Sequence, residues 1–205
     1  LEGIQPGFGP SGRYKRLPRR FKKAIHAIDS STIALVANCM DWPKHRRRKA
    51  AAKLHMRLDL QHFLPAFAIV EEASHHDNSR ARELCAGLKD GEIALLDKAY
   101  VHFDHLFDLA QRGVFWVTRA KDNFTFKVHR KLDADKSKGI LRDDIIELKG
   151  SKSKKAYPIY MRRVLAGVLI NGKIVKMAFL TNNLDWAPSS VADLYQARWG
   201  TVSAG

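Results

Sequence analysis

The sequence predicts an α/β domain, a mixed sheet with flanking helices. Short, nearly unbroken apolar runs such as Ile93–Leu96 have the length of strands covered on both faces. Residues 53–60, KLHMRLDL, alternate strictly, with Leu54, Met56, Leu58 and Leu60 apolar, the period of a half-buried strand. Residues 102–112 set Phe103, Leu106, Phe107 and Ala110 at helical spacing, closed by Gly113. These elements come in the order strand, hairpin, helix, strand, helix, strand, which builds a sheet with helices packed on it.

Residues 1–23 read as a basic, loop-like arm with seven basic residues from Arg13 to Lys23 and no amphipathic period. Residues 24–121 form the expected core. Its opening strand is Ala24–Asp29, followed by a second basic cluster, KHRRRK, at 44–49. The alternating strand pairs as a hairpin with FLPAFAIVEEA, where Pro65 near the strand start costs little. His75–Asn78 is a polar turn, and Asp77 or Asn78 is placed to cap the helix SRARELCAGL. GEIALLDKAY supplies a buried strand, and VFWVTR another.

After Lys121 the character changes. FTFKVH, DDIIEL, YPIYMRRVLAGVLI and KIVKMAFL are strand-like, with a polar linker at 133–139 and a hairpin signal at Asn171-Gly172. Residues 122–181 therefore read as a β-rich insertion. Residues 182–205 supply a last helix after Pro188, with Val191, Leu194, Tyr195 and Arg198 along one side and a break expected at Gly200.

Composition narrows the function. Of 205 residues, 36 are Lys or Arg against 21 acids, a net charge of +15 that favours polyanions. No apolar run approaches the ~20 residues that span a bilayer, and LEGIQPGFGP has no signal-peptide pattern. The first residue is Leu rather than Met, so a fragment is expected. Cys39 and Cys85 match no zinc or redox spacing and read as small buried residues in a reducing compartment. His75 and His76, or His102 and His105, make no complete tetrahedral ligand set. There is no serine nucleophile elbow and no phosphate-binding glycine loop.

One pattern occurs twice. In KAIHAIDSST an apolar run carries into Asp29, and in IALLDKAY another carries into Asp97. If both strands lie centrally and run the same way, the two carboxylates emerge at one sheet edge. Close carboxylates repel unless a cation lies between them, and a small set of oxygen ligands suits Mg²⁺. An aspartate ending a strand is also an ordinary turn former or helix cap. Arg119 and Lys121 end a core strand near that edge and read as contacts to a phosphate backbone. The cluster at 44–49 reads as either phosphate-tracking or a solvated loop.

The ordered series AIDSST, KLHMRLDL, HHDNSRA, LLDKAY, FWVTRAK, LTNN and LYQARW resembles the catalytic domain of bacterial insertion-sequence transposases of the DDE type, in the insertion-sequence-four group. The resemblance covers residues 13–199. It implies an RNase H-like fold with a β insertion before the last helix, and DNA strand cleavage and strand transfer with Mg²⁺ or Mn²⁺. It makes Asp29 and Asp97 the first two catalytic, metal-binding acids. The residues expected to contact DNA are Arg46, Arg47, Arg48, Lys53, Arg119, Lys121, Tyr195 and Arg198. The implied partners are double-stranded DNA and full-length transposase, and the implied location is the bacterial cytoplasm at the nucleoid.

The family signature on the last helix is Tyr-x2-Arg-x3-Glu-x6-Lys. Tyr195 and Arg198 match its first two places, but the glutamate falls at Val202, the lysine falls beyond Gly205, and no acid follows Asp193. A frameshift or truncation is the expected account. The expected function is a transposase catalytic domain without activity of its own, or alternatively a DNA-binding remnant that inhibits full-length copies.

Overall fold

The computed structural model describes residues 21–34, 51–72, 80–121, 123–170 and 172–202. Among these residues nine strands form one mixed sheet. In chain order these are β1 (Ile25–Ala34), β2 (Ala51–Asp59), β3 (Leu64–Glu72), β4 (Ile93–Leu96), β5 (Phe115–Arg119), β6 (Phe126–Leu132), β7 (Ile140–Leu148), β8 (Met161–Ile170) and β9 (Lys173–Thr181). Their spatial order is β3-β2-β1-β4-β5-β9-β8-β7-β6. The central β1, β4 and β5 are parallel, and every other pairing is antiparallel. The expected mixed α/β architecture is the one that forms. The four strands of the β-rich stretch continue the same sheet, with β9 paired to β5.

Among the described residues four α-helices cover the sheet: α1 (Ala81–Cys85), α2 (Phe103–Gln111), α3 (Ser151–Ala156) and α4 (Pro188–Val202). The period of two on the central strands divides the core. Ile25, Ala27, Ile93, Leu95, Val117 and Phe179 pack with Val191, Leu194 and Tyr195 of α4. Ile28, Ala94, Leu96, Trp116 and Leu180 face the other way, against Leu84 and Cys85 of α1 and Leu106 and Leu109 of α2. Trp116 locks that second layer, since its indole Nε1 donates to Leu106 O at 3.0 Å. Helix α2 ends where Gly113 adopts φ +72°, a left-handed conformation that glycine takes without strain.

Several expectations need correction. Asp29 does not end its strand: β1 runs on to Ala34 because β2 continues the ladder, with Asp29 opposite Met56 and Thr32 opposite Lys53. The alternation along β2 is real, yet its polar side is not the solvent side. His55 is fully buried and Arg57 donates to Leu84 O at 3.0 Å, because α1 covers that face. The N-cap of α1 is Arg80, with no side-chain cap bond; Asp77 and Asn78 lie outside the described residues. Arg112 instead serves the other end of α1, donating to the carbonyls of Cys85, Ala86 and Leu88. Gly200 does not break α4, which continues to Val202, a single glycine costing only about 1 kcal/mol in a helix. Helix α3, six residues and lysine-rich, was not expected. Cys85 is a buried thiol, pushed up to about 12 by burial; Cys39 lies outside the described residues. Among the described residues no helix is long and apolar enough to cross a membrane.

Candidate active site

Register places the two aspartates. Ile28 pairs with Leu96, and Leu96 with Thr118. One step further along these parallel strands stand Asp29, Asp97 and Arg119. The same alternation that turns Ile25 and Ala27, Ile93 and Leu95, and Val117 toward α4 assigns Asp29, Asp97 and Arg119 to the α4 face. Beyond Leu96 the chain leaves the sheet in a 3₁₀ turn, Lys98–Tyr100, and Asp97 caps it, its Oδ1 accepting from the Ala99 amide at 3.0 Å. Asp29 Oδ1 accepts from the Ser30 amide at 2.8 Å.

The two carboxylates, sixty-eight positions apart in sequence, meet on one cation, and that cation is Arg198 of α4. Its Nη1 donates to Asp29 Oδ2 and its Nη2 to Asp97 Oδ2, each at 2.7 Å. Arg198 is 5% exposed, whereas the side chains of Asp29 and Asp97 are 28% and 30% exposed. The site therefore opens to solvent from the carboxylate side. Burial raises the Asp29 carboxyl above its ordinary value; Arg198 and the Ser30 amide oppose the rise, and the charge of Asp97 adds to it.

Tyr195 supports the arginine. Its ring lies 5.2 Å from the Arg198 guanidinium carbon and 5.0 Å from the ring of Phe179. One side of α4 thus delivers aromatic packing and a charge to the sheet edge together. Burial pushes the Tyr195 phenol up, opposed by Arg198.

The other residues singled out in the sequence are dispersed. Arg119 is half-buried at the end of β5, in line with the two acids. Lys121 is exposed and donates to Val101 O at 3.2 Å, tying the end of β5 to the chain after the Asp97 turn. Lys53 is half-buried on β2, opposite Thr32 and Glu71. Arg46, Arg47 and Arg48 lie outside the described residues. His102 is exposed, with Nδ1 3.2 Å from Asp104 Oδ1, and His105 is buried. Among the described residues no group of three or more His, Cys, Asp or Glu is placed to hold a metal.

Sequence reasoning missed the bridging position of Arg198. The signal was present: an arginine on the same helix side as Val191 and Leu194 faces the core, and a buried guanidinium requires a buried acid. It also missed a polar chain behind the site. Tyr100 Oη lies 2.8 Å from His55 Nδ1, and His55 Nε2 lies 2.9 Å from Glu71 Oε1.

Known proteins resemble this chain in sequence or in fold. Residues 20–200 match the family described as "Transposase DDE domain". A protein named probable transposase for insertion sequence element IS5377, from Geobacillus stearothermophilus, is 25% identical over 191 residues, covering 91% of this chain and 48% of its own length. A Sinorhizobium fredii protein named as transposase y4zB is 28% identical over 194 residues, covering 92% of this chain and 52% of its own. The chain thus spans about half the length of the curated relatives it matches. Among solved structures, the piggyBac transposase in its synaptic complex with hairpin DNA is similar over 88% of this chain and 39% of that one, with a TM-score of 0.52 and 12% identity. That likeness is one of fold, the mixed α/β, RNase H-like arrangement. With its family match running almost end to end, the chain belongs to the transposase DDE domain family.

Proposed function

We propose that this chain is the catalytic domain of an insertion-sequence transposase of the insertion-sequence-four group. Asp29 and Asp97 are the metal-binding acids in this reading, and the chain has no strand-cleaving activity of its own. The observation that carries the reading is the convergence of these two carboxylates on a single cation. Residues 24–121 and the last helix form the catalytic core, and 122–181 the insertion that widens the sheet beyond β5.

The donor set fits a hard divalent ion. Two partly exposed carboxylates direct one oxygen each toward a common point, where a guanidinium now supplies the positive charge. Asp29 and Asp97 would hold Mg²⁺ or Mn²⁺ there, and such an ion stabilises the charge that develops on phosphodiester oxygens during cleavage. The backbone amides of Ser30 and Ala99 fix the rotation of the two carboxylates. Arg119 and Lys121, at the same edge, would hold the phosphate backbone, as would Lys53 and the cluster at 46–48. Tyr195 orients Arg198 at the centre of the edge.

The missing activity follows from position 202. Helix α4 is continuous from Arg198 to Val202, so position 202 stands one turn on, on the same helix side. The family signature has its third carboxylate there, and this chain has valine. A domain that grips DNA without cutting it would compete with full-length copies for the same sites.

The test is a duplex-binding titration over a range of salt, paired with a nicking assay on supercoiled plasmid in Mg²⁺ or Mn²⁺. Affinity should fall steeply with salt, with a logarithmic slope of about −0.9 for each phosphate neutralised. No metal-dependent nicking should rise above background. A flat salt response would remove the DNA-binding reading. Nicking that disappears in Asp97→Ala would show that the chain cuts after all.

A further inference from the structure

Asp29 and Asp97 have four carboxylate oxygens, and the fold engages each of them. The two Oδ1 atoms accept from the Ser30 and Ala99 amides, at 2.8 and 3.0 Å. The two Oδ2 atoms accept from Arg198, at 2.7 Å each. The guanidinium spans both acids with its two terminal nitrogens and rests against the Tyr195 ring, 5.2 Å from its centre. A divalent ion drawn to this pair is drawn to the same two Oδ2 atoms. Two cations at one pair of oxygens repel, in a site where Arg198 is almost wholly screened from water.

We propose that Arg198 is a built-in competitor for the divalent cation: it closes the Asp29–Asp97 pair while no metal is bound and must withdraw for a metal to enter. The inference rests on the metal-binding reading of the pair given above. It adds that the last helix, through one side chain, sets how tightly the metal is held. The long, flexible arginine stem permits withdrawal without moving α4, and the exposed side of the two carboxylates gives the ion its approach. Without metal, the same contact joins β1, β4 and α4, so it also stabilises the metal-free fold. Metal affinity and metal-free stability are then opposed at this residue, as reciprocal coupling demands.

The experiment uses the full 205-residue chain and Mn²⁺ alone, with free Mn²⁺ read by electron paramagnetic resonance and the melting temperature read in parallel. Arg198→Met should bind Mn²⁺ at least about ten-fold tighter than the unaltered chain. It should melt lower without metal and gain more on adding it. Asp97→Asn placed in the same variant should abolish the gain. If Arg198→Met does not fold, Arg198→Lys carries the test, because one ammonium cannot reproduce the two-armed bridge; it too should bind Mn²⁺ tighter than the unaltered chain. Equal or weaker Mn²⁺ binding in the folded variant overturns the competition and leaves the metal site standing. No Mn²⁺ binding by any folded form overturns both readings.

Discussion

The phenol of Tyr100 and the imidazole of His55 meet at 2.8 Å beneath the turn that Asp97 caps. His55 Nε2 lies 2.9 Å from Glu71 Oε1, so with Nε2–H given to the carboxylate, Nδ1 accepts the Tyr100 hydroxyl. Glu71 in turn accepts from Nε of Arg80 at 2.7 Å and pairs with its Nη2 at 2.7 Å, which holds its carboxyl below the usual range. A polar chain thus runs from β3 through β2 to the residue that closes the 3₁₀ turn after Asp97.

Removing the hydroxyl should loosen that turn. Tyr100→Phe keeps the ring in its buried site and takes one hydrogen bond from His55. The expected cost is about 1–2 kcal/mol of stability, the price of disturbing a buried polar pair, measured by urea unfolding. Mn²⁺ binding should weaken as well, since Asp97 loses a support. Stability and metal affinity both unchanged would show that the hydroxyl positions nothing.

A second buried pair fixes the approach to α4. Arg162 donates from Nε to Asp143 Oδ1 at 2.7 Å and from Nη2 to Oδ2 at 2.5 Å. Its Nη1 reaches the carbonyls of Leu184 and Trp186, in the loop that leads into the last helix. Both side chains are almost wholly buried. Arg162→Met leaves the Asp143 charge without its guanidinium and should cost about 3–5 kcal/mol. Combining it with Asp143→Leu should recover part of that loss, because the stranded charge is gone. A double variant no more stable than the single one would count against this account.

What the sequence disclosed follows the range of the interactions involved. Strands β4 and β5 are buried on both faces, so their apolar runs announce them and place Asp97 and Arg119 at their ends. Residues Ser30–Thr32 look like a turn, and only the pairing with β2 keeps them in the ladder. Helix α3 is short and polar and carries no apolar period. The matched contexts of Asp29 and Asp97 pointed to a shared edge. The cation between them was hidden, because it comes from α4, 169 positions beyond Asp29 and 101 beyond Asp97, and is held there by tertiary packing. The His55 chain was hidden for the same reason: alternation tells which residues share a side, not which side a distant helix covers.

Acid should weaken the fold through His105. Burial pushes this imidazole down to about 4; Arg82 and Arg112 add to the fall, and Asp108 and Asp104 oppose it. Its Nε2 is buried with no hydrogen-bond partner among the described residues. Unfolded, the ring titrates near 6.5. Between about 6.5 and about 4 the unfolded chain binds a proton that the folded chain refuses, so stability falls as pH falls through that window and levels below it. His26, lowered chiefly by burial, acts in the same direction. Urea unfolding at pH 7 and pH 5 should show a larger loss for the unaltered chain than for His105→Gln, by about 1–2 kcal/mol. Equal losses would mean that His105 does not titrate across folding.

The most direct test of the proposed inactivity is to place a carboxylate at position 202. Because α4 continues through Gly200 to Val202, position 202 follows Arg198 by four residues, about one helical turn. Val202→Glu puts a third carboxylate at the place the family signature gives it, and a carboxylate four residues after an arginine on a helix also attracts the guanidinium. Both effects favour a divalent ion: one adds an oxygen ligand and the other draws away the competing cation. Mn²⁺ affinity should rise by about ten-fold, since affinity for hard cations follows the number of charged oxygen ligands. The gain should vanish when Asp29→Asn is combined with the change. Unaltered Mn²⁺ affinity in a folded Val202→Glu protein would mean that position 202 does not belong to the site, and would remove the ground on which the lack of cleavage is proposed.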